Sequence, residues 1–304
     1  MIGNNLIGKL FVTDRYFTIA LRKKKAGILS GKNKFIPDFI VPANREKWVA
    51  DPMLIDANGK TYLFYEAVLE DKGHIEVTEV RGDCTVGEPQ IILQDECHYS
   101  YPFVFYYRGE WYMIPESSAA GEVRLYKSVH FPEKWTMQSV LLYEKAVDTT
   151  IFEQTGHLYL TTFFLTEKSE RVIPHAYELE LSDDNACLRE IKWESYNELR
   201  VRGAGPFIIT DHELIRPAQI SQELRYGDGV VFYRASIGEQ YNEKSICEIK
   251  AIDLKVRGYY VDGLHTYSSS ERFEAIDIRC GVVNVLKPIF KLFKKTLPMG
   301  KKIG

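Results

Sequence analysis

Four segments of this chain repeat one design at intervals of about fifty residues, and no other feature narrows the fold as far. Each is an apolar run, a short polar turn and a second aromatic or apolar run. DPMLIDAN precedes Gly59 and KTYLFYE follows it; YPFVFYYR precedes Gly109 and EWYMIPE follows it. DTTIFEQT and HLYLTTF flank Gly156, and AGPFIITD and ELIRPAQ flank His212 in the same way. The four turn residues are 50, 47 and 56 positions apart. Two such runs joined by a tight turn read as a β-hairpin. Further β-type runs lie between the hairpins, at 74–80 and 122–129, which makes about four strands per unit. Units of that size and period are propeller blades. The expected fold is all-β: a five-bladed β-propeller over residues 15–280, after an N-terminal extension at 1–14. Residues 263–278 are the expected fifth hairpin, and RYFTIALRK at 15–23 the outer strand that closes the ring. An irregular β-sandwich is the competing architecture.

Composition agrees and excludes several classes. Of 304 residues, 45% are hydrophobic and 27% charged, which no disordered chain shows; aromatics at 13% suit strands. A net charge of −3 argues against nucleic acid as partner. The five cysteines (84, 97, 187, 247, 280) form no CxxC pair and read as reduced thiols. No secretory signal and no apolar run of spanning length is visible, so the expected location is cytoplasmic, or peripheral at the inner face of the membrane. Phosphate-binding glycine loops and the GxSxG elbow are absent, and the seven histidines have no metal-ligand spacing; neither cofactor nor metal is expected.

Counting from the turns brings chemistry to one rim. Eight positions before each turn residue stand Asp51, Tyr101, Asp148 and Ala204; seven after stand Glu66, Glu116, Phe163 and Gln219. In an antiparallel hairpin these positions are neighbours at the open end, and in a propeller the innermost open ends converge on the central channel. Four carboxylates thus meet at one funnel. Crowded carboxylates repel, which raises the pKa of some and suits them to acid/base work at a glycosidic bond. Tyr101, Tyr65 and Phe163 are candidates for stacking on a sugar; His98, Arg202, Arg216 and His265 lie near the same strand ends. The competing reading makes each acid a cap for loop amides.

At these residues the sequence resembles the N-terminal domain of the plant glucosamine inositolphosphorylceramide transferases and its stand-alone bacterial relatives. The matching segments are ADPMLID, LFYEA, HYSYPFVFYYRGEWYMIPES, RLYKSVHFPEKW, AVDTTIF and RPAQ. More distantly it is similar to the five-bladed arabinanases, xylosidases and invertases. That resemblance implies a nucleophile or base at Asp51 and a transition-state modulator at Asp148. It also wants an acid where the fourth hairpin has Ala204 and Gln219, so Glu116 is the substitute. The expectation is a carbohydrate-active enzyme, hydrolase-like or glycosyl-transferring, in surface-polysaccharide or glycolipid metabolism. Asp51, Glu116 and Asp148 would be catalytic, and Glu66, His98, Tyr101, Arg202, Arg216, Gln219 and His265 would hold a glycan, a sugar-nucleotide or a lipid-linked sugar. The alternative is a non-catalytic glycan-binding module serving a partner glycosyltransferase.

Composition shifts after residue 280. Residues 281–304 hold six lysines and no acid, and Ile289, Phe290, Phe293 and Leu297 share one helical face. This reads as a short basic amphipathic helix lying on an anionic membrane surface, or packed on the propeller.

Overall fold

The two-residue turns that punctuate the sequence set the hairpins. Asn58–Gly59, Arg108–Gly109 and Thr155–Gly156 all have positive φ at both residues (52° and 74°, 48° and 89°, 53° and 79°). That is the turn whose twist matches paired strands, and glycine at its second position adopts it without strain. The computed structural model describes residues 12–25, 29, 34–166, 172–182, 185–193, 196–197, 200–210, 213–222 and 225–283. The fourth turn residue, His212, and residues 284–304, where the basic helix was expected, lie outside them.

The strands are β1 (Val12–Lys23), β2 (Phe39–Ile40), β3 (Lys47–Ala57), β4 (Lys60–Leu69), β5 (Lys72–Val80), β6 (Gln90–Leu93), β7 (Ser100–Tyr107), β8 (Glu110–Glu116), β9 (Val123–His130) and β10 (Lys134–Leu142). They continue with β11 (Ala146–Gln154), β12 (His157–Leu165), β13 (Val172–Leu181), β14 (Ala186–Trp193), β15 (Ile208–Ile209), β16 (Leu214–Gln222), β17 (Arg225–Ile237), β18 (Gln240–Lys250), β19 (Tyr259–Gly263), β20 (Tyr267–Ser269) and β21 (Phe273–Val283). The fold is all-β. β3–β6 and β7–β10 are four-stranded meanders; β11–β14 and β15–β18 are two more, joined into one eight-stranded sheet by a short parallel pairing of Lys192–Trp193 with Gln240–Tyr241.

The last sheet runs β19–β21–β1–β2, with β20 also on β21. The chain's first strand is therefore zipped to its last, from Val12 opposite Val283 to Lys23 opposite Phe273. β1 is not the outermost strand expected for it, because Phe39–Ile40 adds beyond it.

Apolar residues fill the spaces between neighbouring sheets. Met53, Phe64, Phe103, Met113, Ile151 and Leu160 belong to one cluster, and Ile19, Leu21, Leu54, Leu63 and Phe273 to another that joins the first and last sheets. With the core between sheets, the first strand of each hairpin is free to carry polar side chains at its open end.

Candidate active site

Three hairpins present their key residue by the same distortion. Asp51, Tyr101 and Asp148 have left-handed backbones, with φ of 51°, 43° and 51°. At each, two residues oppose one: the register slips between Ala50 and Met53, Ser100 and Phe103, and Val147 and Thr150. These are β-bulges, which re-aim a side chain at the end of a ladder. A non-glycine residue held at positive φ is uncommon, and its recurrence at one hairpin position makes these three the candidate site residues.

Asp51 is buried and fully engaged. Its Oδ1 accepts from Thr266 Oγ1 at 2.8 Å and its Oδ2 from the Tyr101 N–H at 3.2 Å. His265 Nδ1 lies 3.7 Å from Oδ1 and also contacts Asp277. Asp277 accepts from the backbone N–H groups of His265 and Thr266 (2.9 Å each) and of Asp51 (3.2 Å). Burial, with the nearby Glu66 and Asp277 charges, outweighs the pull of His265 and pushes the Asp51 carboxyl up to about 8. Burial alone would lower His265, but the Asp277 carboxylate against it lifts the ring to about 9. Asp51, His265 and Asp277 offer ligand atoms within 4.8 Å of one another and form a set able to hold a cation.

Beside this group, Arg202 joins two more acids. Its Nε donates to Asp148 Oδ2 at 2.5 Å, and its Nη2 reaches Asp148 Oδ1 at 3.3 Å and Glu116 Oε2 at 3.7 Å. Gly203 permits this approach: a Cβ there would stand 2.7 Å from the Asp148 Cβ. Ser118 Oγ donates to Glu116 Oε1 at 2.9 Å. Burial raises Asp148 against the opposing Arg202 charge. Burial, Asp148 and Glu66 together raise Glu116 to about 7, again against Arg202. Glu66 receives His98 Nε2 at 2.9 Å, while His98 Nδ1 accepts the Gly73 N–H at 3.0 Å. The Glu66 hydrogen bond raises His98. Side-chain exposure separates the members: Glu116 (14%), Arg202 (26%) and His98 (42%) open to solvent, whereas Asp148 (3%) does not.

Other residues expected at the rim are placed differently. Arg216 is enclosed, donating twice to Glu243 at 2.8 Å and once to Val201 O at 2.8 Å, among the rings of Phe163, Trp193 and Tyr233. This is an internal ion pair that fastens β16 to β18, with no face toward the mouth. Gln219 is buried and donates to Gly203 O at 2.8 Å. Tyr101, Tyr65 and Phe163 are too deeply buried to stack on a ligand. The Tyr101 hydroxyl instead bonds Thr150 Oγ1 (3.1 Å) and the Gly205 N–H (2.8 Å), and Tyr65 donates to Glu76. Residue counting missed Asp277, Thr266 and Ser118. Asp277 left one trace, an acid between Ile276 and Ile278 in a strand otherwise built for burial.

A family model described as "Glucosamine inositolphosphorylceramide transferase 1, N-terminal" matches residues 38–260. The rice (Oryza sativa subsp. indica) glucosamine inositolphosphorylceramide transferase 1 is 32% identical over 208 residues, 64% of this chain and 27% of that protein. The chain thus spans about a quarter of the length of that curated relative. Among solved structures, the β-1,2-mannobiose phosphorylase of Listeria innocua is similar with a TM-score of 0.56 at 11% identity, over 90% of this chain and 99% of that one. An α-L-arabinofuranosidase of Podospora anserina gives 0.55 at 9% identity, over 90% and 98%. At such identities the likeness is one of fold.

Proposed function

Because the chain belongs to the glucosamine inositolphosphorylceramide transferase 1 N-terminal family, we propose that the acid cluster described above is the mouth of a carbohydrate site that acts on glycosidic bonds, by hydrolysis or by glycosyl transfer. Its setting is surface-polysaccharide or glycolipid assembly, and its substrate a glycan, a sugar-nucleotide or a lipid-linked sugar. In this reading the four four-stranded groups and the five-stranded last sheet are the blades of one propeller. The observation that carries the chemistry is Glu116: a carboxyl whose side chain is 14% exposed, raised by burial to about 7, and tied through Arg202 to the buried Asp148. A carboxylic acid that keeps its proton near neutrality is suited to protonate a leaving glycosidic oxygen. Asp51 is the base or nucleophile, and Asp148, held by Arg202, modulates Glu116. Glu66, His98, Arg202 and His265 position the sugar. Of the expected tail 281–304, residues 281–283 complete β21; the remainder, 284–304, is assigned to an anionic membrane surface, with the protein at the inner face of the membrane.

The pKa values give the pair a signature. Catalysis needs Asp51 ionised and Glu116 protonated, yet Asp51 sits at about 8 and Glu116 at about 7. The competent form is then a minor fraction whose population peaks near pH ~7.5. Below that, Asp51 retains its proton; above it, Glu116 has lost its own. The expected kcat/KM profile is a bell that rises through about pH 7 and falls through about pH 8. The test is to assay the full chain against nucleotide-linked and lipid-linked glucosamine donors, scoring both free sugar and transfer product. A profile flat across this window contradicts the pair.

A second reading, a glycan-holding module for a partner glycosyltransferase, is favoured by two observations. Asp51 already has a hydrogen-bond donor on each oxygen, and the fourth hairpin has Ala204 and Gln219 at its open end, where an acid is wanted. Binding without turnover on any donor selects this reading.

A further inference from the structure

A file of aromatic rings leads from the acids to the outside. Phe17, on β1, stacks on His265 with ring centroids 4.7 Å apart and planes 18° from parallel. Trp48, on β3, leans on Phe17 at 5.9 Å and 44°. The Arg279 guanidinium stands 5.9 Å from the Phe17 ring and is itself held to Asp262 at 2.9 Å. Phe17 is thus gripped between β3, the His265 ring and Arg279, and acts as a wedge that fixes the indole. Trp48 itself is only partly buried. It lies beyond Asp51 at the open end of β3, away from the turn at Asn58–Gly59.

The other tryptophans have different work. Trp111 stacks on Phe131 at 4.2 Å, Trp135 donates its indole N–H to Pro132 O at 2.7 Å, and Trp193 packs on Tyr241 at 4.2 Å. With Tyr65, Tyr101 and Phe163 enclosed, Trp48 is the tryptophan that the ring contacts connect to the acid cluster. We propose that the Trp48 indole is a stacking platform for a pyranose ring, one sugar away from the ring held at Asp51 and Glu116. A large, rigid ring anchored on one side by the Phe17 ring suits the apolar face of a sugar. Trp48 stands three residue steps before Asp51, about 10 Å along β3, so the platform serves a neighbouring ring rather than the reacting one.

The proposal rests on the carbohydrate reading of the mouth, and its test is independent of turnover. The full chain is titrated with glucosamine, methyl β-D-glucopyranoside and β-1,2-mannobiose by calorimetry and saturation-transfer NMR. Trp48→Ala is expected to weaken binding of the disaccharide roughly tenfold or more, and Trp48→Phe, which keeps a stacking ring, by less than about threefold. Trp48→Phe also guards against misfolding of the alanine variant. Disaccharide binding by Trp48→Ala within twofold of the wild type overturns the platform, as does absence of binding of all three probes to the wild type. Binding that depends on Trp48 in a protein that turns over no donor supports the platform and removes the catalytic reading instead.

Discussion

Asp51→Asn is expected to lower turnover about 10³-fold while sugar binding stays within a few-fold of wild type. The substitution is isosteric and retains one oxygen. It removes only the carboxylate that would act as base or nucleophile, beside a Thr266 hydroxyl at 2.8 Å and a Tyr101 N–H at 3.2 Å. Stability separates this outcome from simple unfolding. Burial raises Asp51 above the ordinary carboxylate range to about 8. Its contribution to stability is therefore present in acid and is lost as pH climbs through that value, because the folded state resists ionisation and the unfolded state does not. Asparagine does not titrate and escapes that loss. At pH ~8.5 the variant should melt no lower than the wild type although its activity has collapsed. Thermal melts beside initial rates check both halves. Preserved turnover removes Asp51 from the chemistry and leaves the base or nucleophile to another group of the cluster.

The turns at Gly59, Gly109 and Gly156 were legible because the two-residue turn demands positive φ, and glycine announces it. Counting back from them places Asp51, Tyr101 and Asp148 opposite Glu66, Glu116 and Phe163. The observed partners of those residues are Ala50, Ser100 and Val147, one position earlier. The offset is the bulge, and a bulge is held by tertiary acceptors that no local pattern encodes, such as Asp277 receiving the Asp51 N–H. Pro52 and Pro102, directly after two of the bulged residues, hinted that the ladder could not run straight there. In the last sheet Ser270 turns the chain by bonding the Phe273 N–H, so the glycine count had no anchor and Asp277 went unseen. Arg216 shows the other limit. An arginine near a strand end reads the same whether it faces a ligand or a glutamate 27 residues further on.

Arg22→Leu is expected to cost about 3–5 kcal/mol, because the pair it breaks is buried and binds the chain's first strand to its last. Arg22 lies opposite Glu274 in the β1–β21 ladder, and its Nε donates to Glu274 Oε2 at 2.6 Å. Both side chains are at most 1% exposed. Nη1 donates to Lys34 O at 2.9 Å, and the guanidinium lies 4.3 Å from the Phe35 ring centroid. Glu274 Oε1 receives the Tyr267 hydroxyl at 2.7 Å. Removing the arginine leaves a carboxylate in the core with a neutral donor alone, and that uncompensated charge is the main loss. In a protein of this size the melting temperature should fall by roughly 10 °C. A second substitution tests the cause. Glu274→Gln in the Arg22→Leu background removes the charge and keeps an oxygen for Tyr267, so the double variant should recover much of the lost stability. If the two losses merely add, the damage comes from lost packing of the long side chain against Phe35 rather than from an orphaned charge. In either case the cost falls on the seam between β1 and β21, the pairing of the first described strand with the last.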